Sequence, residues 1–293
     1  MTNILSQSPA VQSFSPLSPI GVDAAVEAAR DPTIVSRPKI FEEFSLKDRV
    51  GVVTGGNRGI GLEMALALCE LGARAIYCFD LPSEPSDEWK STQDFVKKLG
   101  AGSRLEYVSA DVRDQKGMWN KVKDIGDREG RMDVCVAAAG VAVGNVDSLV
   151  CPEDVHQGVM DVNTNGVLFT AQAAGQQMLR FGNAGSIILI ASIAGSAALK
   201  GSNVLPYNAS KAAVLQMGRS LACELGSKGI RVNTISPGFI RTPMTAAHLD
   251  TVPEILERWS DMSPLGRIGR PDELRGVIAW LASDASSFCT GSE

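Results

Sequence analysis

The stretch YNASK places Tyr207 and Lys211 four residues apart, on one face of any helix that runs through it. A free phenol ionises near pH ~10, too high for acid–base work at neutral pH, but an ammonium beside it favours the phenolate and is expected to lower that value. Tyr207 could then pass a proton to or from a carbonyl oxygen while Lys211 holds its charge in place. Fifteen residues earlier, the apolar run ILIASIAG carries Ser192. Its hydroxyl could donate to the same oxygen as charge develops there. Taken alone, Ser192 reads as a helix cap or a turn residue.

A second chemistry lies in TGGNRGIG, Thr54 to Gly61, between the apolar RVGVV and LEMALALCELG. A glycine-rich turn from strand to helix aims backbone N–H groups and the positive helix end at an anion, usually a pyrophosphate. Gly55, Gly59 and Gly61 follow G-x-x-x-G-x-G spacing, which differs from the G-x-G-x-x-G fingerprint but serves the same task. The next strand ends in CFD and puts Asp80 nineteen residues after Gly61. A carboxylate there binds a ribose 2′-hydroxyl and repels a 2′-phosphate, which favours NAD(H). Arg58, inside the loop, could pair with a 2′-phosphate and keeps NADP(H) open.

Such groups need a sheet to hold them. From Leu46 onward, short β-rich runs (RVGVVTG, RAIYCFD, RLEYVSADV, MDVCVAAAG, GSIILIAS, IRVNTISPG) alternate with helical ones. That pace predicts parallel β-α-β units, hence an α/β three-layer doubly wound parallel sheet of Rossmann type in a single domain over residues 46–293. Residues 1–45, with SQSPAVQSFSPLSPIG, bury little and read as a flexible N-terminal arm.

The formal charge of −5 over 293 residues, with no basic block, argues against nucleic acid or an anionic membrane as partner. No apolar run reaches bilayer length and no leader opens the chain, so a cytoplasmic protein is expected. Cysteines 69, 78, 135, 151, 223 and 289 form no C-x-x-C pair and read mostly as buried thiols; with two histidines, no metal site is expected. His156 and His248 lie in polar segments and are not expected to be catalytic.

In this order the motifs resemble the short-chain dehydrogenase/reductase family in its TGxxxGIG form, over about residues 46–293. The resemblance implies an NAD(P)-dependent oxidoreductase that moves a hydride between the coenzyme and a secondary alcohol or ketone. It also implies an active site of Asn163 (of VNTNG, not its neighbour Asn165), Ser192, Tyr207 and Lys211. The family's Asn holds a kinked helix and a water linking the lysine to solvent. By the same resemblance Gly55, Asn57, Arg58, Gly59, Ile60, Gly61 and Asp80 hold the coenzyme, with Tyr207 and Lys211. Asp111 and Val112 of SADV lie beside its adenine, Ala139 and Gly140 of AAAG line it, and Pro237, Gly238, Ile240 and Thr242 of SPGFIRT lie near its nicotinamide. Taken singly, Asp111 could be a surface cap and the PG an ordinary turn.

Two departures stand out. AAAG replaces the common NNAG, so Ala137 and Ala138 lack the amides that stitch neighbouring strands. After LASDASSFCTGSE the family continues into a last strand, and its absence would leave the sheet without an edge strand. The segments VAVGNVDS, IAGSAALKGSNVLP and the expected lid RTPMTAAHLDTVPEILERWSDM carry no Arg/Lys cluster, so a neutral substrate is expected. The Ser192 to Tyr207 spacing and the run SLACELGSKGIRVNTISPGFI resemble fungal sugar-alcohol members, implying a ketose/polyol pair. The rivals are a fatty-acyl, steroid or secondary-metabolite ketone and, in another class, a non-catalytic dinucleotide-binding or scaffold protein. Family members are homo-oligomers, tetramers or dimers. Ala212, Ala213 and Ala222 would permit close helix packing but serve contacts within one chain equally well.

Overall fold

The structure, a computed structural model, describes residues 19–100, 102–251 and 253–293. Six parallel strands form one sheet: β1 Val50–Thr54, β2 Ala75–Asp80, β3 Arg104–Ser109, β4 Val134–Ala137, β5 Gly185–Ile190 and β6 Ile230–Ile235. Their order is β3-β2-β1-β4-β5-β6. Strand order therefore reverses between β1 and β4, where Val52 pairs with Cys135 and Thr54 with Ala137. In an open α/β sheet, ligands bind beyond the carboxyl ends of the strands at such a reversal.

Both faces of the sheet are covered, which is why the strands read as unbroken apolar runs. The crossover helices are α3 Gly59–Glu70, α4 Asp87–Lys98, α5 Gln115–Glu129, α6 Glu153–Met160, α7 Val167–Phe181, α8 Leu205–Leu225 and α11 Arg275–Ala282. Val52, Phe79, Ile187 and Leu189 pack with Met118, Val122, Met178 and Val214 of α5, α7 and α8. Their alternates Val53, Ile76, Val136 and Ile188 pack with Leu62, Leu68, Trp89 and Ile278 of α3, α4 and α11. The strand period of two thus feeds two cores, making the three layers expected. Local signals set the helix starts: the Ser86 hydroxyl accepts from Trp89 N at 3.1 Å and the Asp114 carboxylate from Gly117 N at 3.0 Å.

Residues 1–18 of the expected arm lie outside the described residues. Residues 19–45 include α1 Gly21–Arg30 and α2 Ile40–Glu43, neither of which buries a side chain. Leu46, fully buried, begins the packed unit, its N–H donating to the Leu71 carbonyl at 2.9 Å. After α11 the chain runs beside β6: Gly291 N donates to Val232 O at 2.7 Å and Thr234 N to Ser292 O at 2.9 Å. The β6 edge, expected to stand empty, carries these two main-chain bonds. Helices α9 Pro243–Thr251 and α10 Pro253–Asp261 form the segment read as a lid. Among the described residues no helix is long and apolar enough to cross a membrane. The side chain of His248 lies outside the described residues, and His156 is half-buried on α6.

Candidate active site

The glycine turn follows β1 directly. At Gly55, φ is +66° and a Cβ would lie 2.9 Å from the Ala139 backbone, so the turn folds against the chain leaving β4. A Cβ on Gly61 would stand 2.2 Å from the Gly55 carbonyl oxygen, which no side chain can share. Arg58 precedes α3 without giving it a side-chain cap, so the positive helix end and its first N–H groups stay open to an anion. This cradle fits a pyrophosphate. Gly59 sits within reach of the segment after β6, a Cβ there lying 3.5 Å from Pro243 and 3.8 Å from Thr242.

Asp80 ends β2 beside this turn. Its Oδ2 accepts from Asn57 N at 3.1 Å and its Oδ1 from Leu81 N at 2.9 Å, which fixes the carboxylate at the crevice. The Asn57 side chain is committed elsewhere: its Oδ1 accepts from Ser86 N at 2.8 Å and ties the turn to the start of α4. Ile60 packs into the core beneath α3. Arg58 is exposed, and its guanidinium has no hydrogen bond or ion pair among the described residues. Asp111 is held by Arg113, whose Nε and Nη2 donate at 2.9 and 2.6 Å and keep its carboxyl below the usual range. Val112 is buried against Gly166, where a Cβ would lie 2.6 Å from its Cγ2. Ala139 N donates to the Thr54 hydroxyl at 3.3 Å, a bond that survives the loss of the amides at Ala137 and Ala138.

The proton-transfer candidates lie at the ends of β4 and β5. Asn163 is fully buried in a π-helical turn, Asp161–Gly166, between α6 and α7. Its Oδ1 accepts from Val141 N at 2.8 Å, and its Nδ2 donates to Val141 O at 2.9 Å and to the Ser210 hydroxyl at 3.1 Å. The neighbouring Asn165 turns instead to Asp161. A Cβ on Gly140 would lie 3.3 Å from Asn163 Oδ1 and 3.6 Å from Lys211 Nζ, so the turn after β4 brings these two groups together. Lys211 is 5% exposed; its Nζ donates to the Ile190 carbonyl at 2.8 Å and lies 5.7 Å from the Tyr207 ring centroid.

Ser192, just after β5, caps the short turn that follows it. Its Oγ accepts from Ala194 N at 3.2 Å, the capping role open in the sequence, which leaves its own proton to donate, with the Tyr207 phenol as a partner. Ile193 N donates to Pro237 O at 3.2 Å and joins this turn to the SPGFIRT segment. Gly238 packs on Ile193, Ile240 bridges Gly269, and Thr242 N donates to the Thr245 hydroxyl at 2.8 Å. The expected lid contacts two other segments: Arg258 Nη2 donates to Lys200 O of IAGSAALKGSNVLP at 2.7 Å, and Trp259 stacks on Phe239 of SPGFIRT with centroids 4.6 Å apart.

One expectation is corrected. Burial pushes the Tyr207 phenol up from its ordinary value and the Ser192 hydroxyl pulls it partly back, whereas lowering by Lys211 was expected. Burial likewise pushes the Lys211 ammonium down to about 8, because a cation gives up water at this site for a single carbonyl. The unfolded chain keeps that proton up to its ordinary value of 10.5, so stability rises with pH from about 8 to 10.5, and below that window the cost is constant. Lys211→Met is therefore expected to stabilise the free protein at pH 7 by up to about 3 kcal/mol in urea melts, the advantage shrinking as pH rises through the window. A variant less stable than the parent at pH 7 would contradict this.

Sequence reasoning missed Val141, Ser210 and the Ile190 carbonyl. Two act through main-chain atoms, which residue types do not announce; Ser210 stood inside YNASK, and its place one turn from Tyr207 was the available signal.

A family profile described as enoyl-(acyl carrier protein) reductase matches residues 54–293. A sorbose reductase of Schizosaccharomyces pombe is 35% identical over 252 residues, 85% of this chain and 94% of that protein. The crystal structure of a short-chain type dehydrogenase/reductase from Mycobacterium marinum superposes with a TM-score of 0.79 at 34% identity, covering 86% of this chain and 95% of that one. A gluconate 5-dehydrogenase from Burkholderia cenocepacia J2315, in complex with NADP and tartrate, gives 0.77 at 28% identity over 86% and 94%.

Proposed function

We infer that this chain, which belongs to the short-chain dehydrogenase/reductase family, interconverts a ketose and its polyol with a nicotinamide coenzyme. The observation that carries the reaction is the buried cluster beyond β4 and β5, where Lys211 Nζ and Asn163 Oδ1 both approach Gly140 and the Ser192 hydroxyl lies beside the Tyr207 phenol. The sugar class rests on likeness to the sorbose reductase across most of both chains.

When bound, the coenzyme supplies or accepts the hydride. Gly55, Gly59, Ile60 and Gly61 would hold its pyrophosphate with backbone groups, and Arg58 and Asn57 would shape the same turn. Asp80 would take the adenosine ribose, with Asp111 and Val112 beside the adenine and Ala139 and Gly140 along its length. Pro237, Gly238, Ile240 and Thr242 would close the nicotinamide end. Tyr207 moves a proton to or from the substrate oxygen, and Ser192 donates to that oxygen through the hydrogen its capping role leaves free. Lys211 supports the phenol from the same helix face, and Asn163 fixes the turn beside it. Retention of all four groups favours catalysis over a silent binding role. A cytoplasmic homo-oligomer, a dimer or tetramer built on α7 and α8, belongs to the same reading.

Asp80 favours NAD(H), since its fixed carboxylate repels a 2′-phosphate and the exposed Arg58 has the freedom to swing away from it. Asp80→Ser is expected to lower the NADH over NADPH ratio of kcat/KM at least about tenfold. An unchanged ratio would transfer the choice to Arg58. The function itself is tested by following reduced-coenzyme absorbance against a panel of ketoses and non-sugar ketones. Preference for a ketose supports the reading; turnover of non-sugar ketones alone overturns it.

A further inference from the structure

We propose that Ser210 is a positioning residue whose hydroxyl, between the Tyr207 main-chain carbonyl and the Asn163 amide, fixes the clamp that sets the Gly140–Val141 turn beside Lys211. Ser210 is fully buried, as is Asn163. Its Oγ donates to Tyr207 O at 2.7 Å and receives Asn163 Nδ2 at 3.1 Å.

The direction of these bonds carries the argument. A main-chain carbonyl can only accept, so the Ser210 proton is committed to Tyr207 and only the oxygen's lone pairs face Asn163. Asn163 must therefore present its nitrogen to Ser210. Its oxygen is left to take Val141 N–H at 2.8 Å, and the second hydrogen on nitrogen reaches Val141 O at 2.9 Å. With the amide reversed, both Val141 bonds would set like groups against each other. Ser210 is thus the third partner that agrees with Val141 on which way round Asn163 sits, and the Asn163 amide ties down the turn after β4. That turn packs Gly140 against Lys211 Nζ, so a loosened amide reaches the lysine without touching it.

Without the hydroxyl, a buried N–H of Asn163 loses its acceptor, and only the two Val141 bonds are left to hold the amide. The inference rests on the roles given above for Asn163, Tyr207 and Lys211, and two readouts keep its fate separate from theirs. The first is hydrogen exchange at Val141 N–H in the full chain, with neither coenzyme nor sugar present. Ser210→Ala is expected to speed it about tenfold or more while amides of β1 keep their rates, and Ser210→Thr is expected to restore it. The second is steady-state ketose reduction. In Ser210→Ala, kcat is expected to fall about tenfold with KM little changed, and Ser210→Thr to recover most of the loss. If the alanine variant fails to fold, Ser210→Cys, similar in size but weak in hydrogen bonding, carries the same comparison.

Unchanged exchange at Val141 overturns the proposal. So does faster exchange with kcat unchanged, or a loss that threonine does not recover. A silent sugar panel with exchange behaving as expected counts against the polyol reading and leaves Ser210 supported.

Discussion

Tyr207→Phe is expected to lower kcat about a thousandfold while the dissociation constant for reduced coenzyme and the melting temperature stay close to those of the parent. The change removes one oxygen from a ring that remains packed, so little apolar contact is lost. On the proposed mechanism, what is lost is the group that exchanges a proton with the substrate oxygen, while the Ser192 hydroxyl is already engaged as an acceptor by Ala194 N. Ser192 can donate a hydrogen bond there, but once the phenol is gone it has no bonded base among the described residues to make it a proton carrier. Burial already holds the phenol in its protonated form in the free protein, which suits it to giving a proton in the reductive direction. In the oxidative direction the phenolate has to form, so alcohol oxidation is expected to gain with rising pH across the range in which reduction is flat. A Tyr207→Phe enzyme changed only in KM would remove Tyr207 from the chemistry.

Gly61→Ala is expected to weaken coenzyme binding at least about a hundredfold, read by fluorescence titration with NADH. The added Cβ would meet the Gly55 carbonyl oxygen at 2.2 Å and its carbon at 2.7 Å. Both are backbone atoms in the turn itself, so relief comes only by moving the turn off the end of α3. Gly59→Ala provides the contrast. Its φ of +59° makes alanine strained, at about 1 kcal/mol, but the nearest atom is 3.5 Å away. Binding is expected to fall far less there. Equal losses at the two positions would mean that conformation rather than close approach sets the cradle.

The sheet was legible because buried parallel strands leave unbroken apolar runs, and GVV, AIYCF and SIILI each become a strand with both faces covered. The glycine turn and the Tyr207–Lys211 pair were legible for a related reason: close approach and helical spacing both restrict residue type at fixed intervals. Less legible was anything decided by burial or by main-chain partners. The rise of Tyr207 follows from how deeply α8 is packed, which YNASK does not state. The Asn57 side chain holds Ser86, twenty-nine residues away, a tie within the chain that residue type and spacing do not announce. Asp111 is tied to Arg113 two residues on, a pairing its motif leaves open. Helix α1 escaped a reading based on low burial, since ten residues rich in alanine can be helical without packing against anything.

The central claim is transfer of a hydride between a nicotinamide coenzyme and the carbonyl carbon of a sugar, with Tyr207 moving the proton. Its most direct test is reduction of a ketose such as sorbose with coenzyme carrying deuterium at the transferable position, followed by mass spectrometry of the product. The account predicts one deuterium on the former carbonyl carbon of the polyol, formed by the parent and not by Tyr207→Phe. Polyol without deuterium, or coenzyme that binds and is never consumed with any ketose, would contradict it.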